Sequence, residues 1–75
     1  MTDKMPRVTA SDVIRALEKS DFFFVRQSGS HKIYKNSAGK RVTVPFHSGK
    51  IIHPKVLRNI LDDAELTIAE LKELQ

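Results

Sequence analysis

Three histidines are the groups in this chain best suited to chemistry: His31, His47 and His53. His31 follows Ser28-Gly29-Ser30 and precedes Lys32, His47 opens the run His47-Ser48-Gly49-Lys50, and His53 stands directly before Pro54. Imidazole has an unperturbed pKa of ~6.5, so it can give or take a proton near neutral pH. One reaction asks a protein only for proton transfer and positive charge, namely attack of an RNA 2′-hydroxyl on the neighbouring phosphodiester. A base removes the hydroxyl proton, an acid protonates the departing 5′-oxygen, and cations stabilise the charge building on phosphorus. DNA lacks the hydroxyl and cannot react this way. Each imidazole taken singly fits an ordinary surface position equally well. His53, placed before a proline, reads as a helix-start residue, and Ser30 has no acid near it in sequence that would make it a nucleophile.

Charge is distributed unevenly around these residues. Residues 1–21 hold four bases and four acids, whereas residues 22–58 hold eight bases and neither Asp nor Glu. Those eight are Arg26, Lys32, Lys35, Lys40, Arg41, Lys50, Lys55 and Arg58; residues 59–75 then hold one base against five acids. A segment this one-sided suits a polyanionic partner, of which nucleic acid is the usual one, although a solubilising surface would also account for it. The same segment argues against metal chemistry, because a Mg²⁺-dependent nuclease gathers its ions with carboxylates. Acids do occur at Asp12, Glu18, Asp62 and Asp63, but these fall in helical stretches. No metal and no other cofactor is expected.

With 75 residues, one domain spanning residues 1–75 is expected, and 40% hydrophobic content is enough for one thin core. No apolar run approaches the ~20 residues of a membrane span, and residues 1–4 lack a signal peptide's apolar stretch, so a cytoplasmic protein is expected. Residues 1–8 carry no periodicity and read as a loose lead-in. Thr9 reads as the cap of a helix whose apolar stripe is Ala10, Val13, Ile14 and Leu17. Phe22 to Gln27 reads as a strand, with Phe22, Phe23 and Phe24 as sheet and core aromatics in preference to base-stacking platforms. Gly29 reads as a turn residue needing positive φ or close approach. His31 to Lys35 and Arg41 to Val44 are the next strands, joined by a loop over Asn36 to Gly39. Pro54 suits the first turn of a second helix with Val56, Leu57, Ile60, Leu61 and Ala64 inward. Thr67 to Glu70 matches a capping box that opens a short acidic third helix over residues 67–75. The order is α-β-β-β-α-α, an α+β fold with a three-stranded antiparallel sheet covered by helices on one face.

The register between the second and third strands decides what His31 faces. Pairing Tyr34 with Val44 sets His31 opposite His47, so that both rings address one phosphate; pairing Ile33 with Val44 sets it opposite Phe46 and turns it toward the helices. A slip of one residue moves every side chain to the other face. Periodicity leaves the choice open.

The ordered landmarks from Phe22 through Arg26-Gln27-Ser28-Gly29-Ser30-His31-Lys32-Ile33-Tyr34, then Gly39 to Lys50 with Pro45-Phe46-His47-Ser48-Gly49-Lys50, then Leu57-Arg58-Asn59-Ile60-Leu61, resemble the HicA (YcfA-like) family of toxin mRNA interferases. The resemblance runs from about Val8 to Leu66. It implies a fold like the double-stranded-RNA-binding domain, cleavage of mRNA with arrest of translation, and neutralisation by a HicB-type antitoxin. It maps the family's essential histidine onto His31 and makes His47 and Lys50 site residues. One departure is that members commonly carry Gly-Phe after the first helix, where this chain has Asp21-Phe22, which bears on the helix end and not on the chemistry.

The expected function is therefore that of a metal-independent endoribonuclease toxin. His31 is the general base or acid, and His47 is a second catalytic group or a phosphate contact. Arg26, Ser30, Lys32, Lys35, Lys40, Arg41 and Lys50 hold RNA. The partners are mRNA and a HicB-like antitoxin, with no membrane and with the oligomeric state open, a homo-oligomer included. Two other readings share the basic segment: a non-catalytic RNA-binding module, and a protein-interaction domain whose acidic third helix and basic sheet meet different partners.

Overall fold

Thr9 starts the first helix as its composition suggests. The computed structural model describes residues 6–74, and in it the Asp12 backbone N–H donates to Thr9 Oγ1 at 3.3 Å while the Thr9 N–H donates to Asp12 Oδ2 at 3.0 Å. This reciprocal cap satisfies two of the amides a helix start leaves unpaired. The order is α1 (Ala10–Lys19), β1 (Phe23–Ser28), β2 (His31–Lys35), β3 (Arg41–Pro45), α2 (Pro54–Ala64) and α3 (Ile68–Leu74). The α+β fold is therefore as expected, down to the short extra helix, which opens on a capping box between Thr67 and Glu70. Pro54 begins α2, whose N-cap is His53: its Nδ1 accepts the Lys55 N–H at 3.1 Å. No helix among the described residues is long and apolar enough to cross a membrane.

Of the expected lead-in over residues 1–8, residues 1–5 lie outside the described range. Val8 is not loose: it is buried, its carbonyl accepts the Ile52 N–H at 2.8 Å, and Thr9 bridges Ile51 beside it. The aliphatic residue needed a place in a small core, and pairing with the segment before α2 gives its backbone a partner.

Asp21, standing where the family resemblance would put glycine, takes φ of 69°. The chain leaves α1 through the left-handed region, which glycine adopts without cost and Asp tolerates better than most residues. Phe22, just beyond, is buried and belongs to the same core cluster as Leu17 of α1 and Leu61 of α2.

The sheet runs β1-β2-β3, all antiparallel. Its β2–β3 register matches neither pairing considered from sequence: His31 lies opposite Pro45, Lys32 opposite Val44, and Tyr34 opposite Val42. The connection sets this. Asn36 and Lys40 close the hairpin, with the Asn36 N–H donating to the Lys40 carbonyl at 3.1 Å and Asn36 Oδ1 accepting the N–H groups of Ala38 and Lys40. Gly39, with φ of 86°, supplies the left-handed residue that a three-residue loop requires. Counting back from that closure fixes every pair to Pro45.

Tyr34, Val42 and Val44 consequently face the helices and join Leu17, Leu57, Leu61 and Leu71 in the core. Burial, with Glu18 as the lesser cause, pushes the Tyr34 phenol above its ordinary value of 10. Ile33 is also buried, at 7% exposure, yet it belongs to no helix-side cluster. It lies on the other face, flanked along β2 by His31 and Lys35 and across the strands by Arg26 and Thr43. Long cationic side chains can cover an aliphatic neighbour with their stems while their heads stay in water.

Candidate active site

Side chains alternate across a strand, so the ladder sorts the candidate residues by face. His31 begins β2 on the helix-free face and is exposed. Its cross-strand neighbours there are Ser28 on β1 and Pro45 on β3. Lys35 follows on the same face of β2, with Arg41 opposite it on β3. Arg26, opposite Ile33, completes the set. The register gives this face no Asp or Glu, so the cations act without a neutralising partner among the strands.

An irregularity in β1 makes this composition possible. The register shifts between Phe24 and Arg26, with Val25 as the extra residue of a bulge. In a regular strand Arg26 would share a face with Phe24, and Phe24 lies opposite the inward Tyr34. The bulge moves Arg26 and Ser28 to the side that carries Phe23, Ile33 and His31, as bulges beside functional sites commonly re-aim side chains. Gly29, with φ of 59°, turns the chain between β1 and His31.

The remaining candidates divide. Ser30 sits in the β1–β2 turn, where its carbonyl accepts the Phe46 N–H at 2.6 Å and ties the base of His31 to the segment leaving β3. Lys32 is on the helix side, with its Nζ 4.1 Å from the centre of the Phe46 ring, a cation–π contact. Lys40 forms an ion pair with Glu65 at the end of α2. His47 is exposed and stands two residues beyond the last ladder pair, so it does not face His31 directly. With Lys50 and His53 it lines a cleft of about 250 Å³, whose apolar walls are Pro45, Ile51, Ile52 and Val56. Pro45 connects the two regions, being both the cross-strand neighbour of His31 and a wall of that cleft.

Sequence reasoning passed over two features. His53 was expected only to start a helix; it does so, and it also lines the cleft with His47. Phe23 and Phe24, expected as sheet and core aromatics, are 53% and 51% exposed, and only Phe22 is buried. Nothing in three consecutive phenylalanines distinguishes the inward one; the exit from α1 through Asp21 does so. Among the described residues no three His, Asp or Glu side chains gather as a metal-binding group.

A family model described as the HicA toxin of bacterial toxin-antitoxin matches residues 10–66, which include α1, the whole sheet and α2. No curated protein matches the chain.

Proposed function

Because the chain belongs to the HicA toxin family of bacterial toxin-antitoxin systems, and so implies a cognate antitoxin, we propose that it is an endoribonuclease that cleaves mRNA without a metal and arrests translation. The ribose 2′-oxygen attacks the adjacent phosphorus, the bond from phosphorus to the 5′-oxygen breaks, and a 2′,3′-cyclic phosphate forms. His31 carries a proton in this exchange, at the 2′-oxygen as base or at the leaving 5′-oxygen as acid. His47, near the same end of the hairpin, supplies the complementary transfer or contacts phosphate, with Lys50 beside it. Arg26, Lys35 and Arg41 hold phosphates on the open face. Lys32 and Lys40, already engaged with Phe46 and Glu65, and Ser30, through its turn, contribute from the margins.

The observation that carries this reading is the placement of His31: an exposed imidazole on a helix-free sheet face whose strands, all among the described residues, supply three cations and no carboxylate. A HicB-type antitoxin would silence the chain by covering that face.

Purified protein is expected to cut RNA in the presence of EDTA and to leave DNA of the same sequence intact, as read on a denaturing gel. Cleavage that stops on chelation and returns with Mg²⁺, or that extends to DNA, contradicts the proposal. RNA binding with no cleavage under any condition identifies a non-catalytic RNA-binding module instead.

A further inference from the structure

Phe23 has more than half of its surface in solvent, at 53% exposure, an unusual position for a phenylalanine in a chain with so little core to spare. It lies on the helix-free face directly opposite Lys35, which in turn lies opposite Arg41. One row across the sheet therefore reads aromatic, cation, cation. We propose that Phe23 is a stacking platform for an unpaired base, so that the RNA crossing this sheet is single-stranded at that point. This rests on the RNA reading above and specifies the substrate's form.

Single-stranded nucleic acid is held by just this combination, with cations following the phosphates and an aromatic ring taking the face of a base. A base inside a duplex has both faces covered by its neighbours and cannot offer one to a side chain. Phe24 does not serve equally. Its ring already meets Tyr34 edge-on at 5.7 Å between centroids, and it lies on the other face of β1. The β1 bulge puts Phe23 on the side that also carries Arg26 and His31. From the Phe23–Lys35 pair to His31 is four residues along β2, or ~13 Å at ~3.3 Å per residue. The stacked base is thus displaced along the strand from the phosphate at His31, so Phe23 fixes where the strand lies without touching the reacting atoms. An exposed phenylalanine could instead meet a protein. The adjacent Lys35 and Arg41, and the absence of acids among the described strand residues of this face, favour the polyanion.

The test is fluorescence anisotropy with the His31→Ala chain, which spares the RNA. The probes are a short unstructured adenine-rich RNA and the duplex it forms with its complement. The inference predicts that Phe23→Ala in that background weakens single-strand binding about tenfold, from the ~1–3 kcal/mol that stacking contributes per base. Duplex binding and the slope of affinity against salt should not change, because the phosphate contacts persist. Phe23→Trp should restore the single-strand affinity. Unchanged single-strand affinity in Phe23→Ala, or an equal loss on both probes, overturns the stacking role while leaving RNA binding in place; if that variant instead loses affinity for a co-expressed antitoxin, the ring is a protein contact. Failure of the Phe23-intact chain to bind either probe at low salt refutes the RNA reading itself.

Discussion

Replacing His31 with alanine is expected to lower the rate of RNA cleavage about 10²–10⁴-fold, the range a positioned proton-transfer group contributes. The loss should fall on the chemical step. His31 is exposed, so its removal opens no cavity, and surface changes of this kind usually alter stability by less than about 0.5 kcal/mol. Arg26, Lys35 and Arg41 remain on the same face, so RNA affinity and its dependence on salt should persist. Single-turnover cleavage measured beside anisotropy separates the two effects. A variant that cleaves normally would move the catalyst away from position 31, with His47 the next candidate in the neighbouring cleft. A variant that no longer binds would make the ring a phosphate contact.

Leu57→Ala should be strongly damaging to the fold. Leu57 has no exposed surface and packs from α2 into the cluster that includes Val42, Val44 and Leu71. Emptying such a site costs about 2–5 kcal/mol, the lost transfer free energy plus the cavity left behind. At roughly 0.05–0.15 kcal/mol per residue, the whole domain has only about 4–11 kcal/mol to lose. Thermal unfolding followed by circular dichroism should show Tm falling by about 10 °C or more, given ~4–8 °C per kcal/mol in a domain this small. A shift below about 3 °C would mean that α2 is not held to the sheet through this residue.

The helices were legible because their signals are local. Thr9, Pro54 and Thr67 mark starts through hydrogen bonds made within a few residues, and the apolar stripes of α1 and α2 name the faces that are buried. The register of the β2–β3 hairpin was not read correctly, although a local signal for it existed. Asn36 with a glycine three residues on is the mark of a three-residue loop, and that loop alone pairs Asn36 with Lys40 and hence His31 with Pro45. Weighing Ile33 against Tyr34 as the buried residue could not decide the matter, because both are buried, on opposite faces.

Within the site, the charge-poor and charge-rich stretches were plain, whereas the partition of the cations was not. Alternation along β2 in the observed register puts Lys32 on the helix side, where it meets Phe46, and Lys40 is drawn away by Glu65, a residue distant in sequence. The bulge at Val25, which brings Arg26 to the face of His31, depends on tertiary pairing and leaves no trace in the pattern of Phe22 to Ser28.

The chemical identity of the cut ends tests most directly whether an imidazole moves a ribose proton here. In EDTA, the upstream fragment should end in a 2′,3′-cyclic phosphate and the downstream fragment should begin with a 5′-hydroxyl, as mass spectrometry can establish. A 5′-phosphate paired with a 3′-hydroxyl would mean that water, and not the ribose, attacked phosphorus, and the role given to His31 would be wrong.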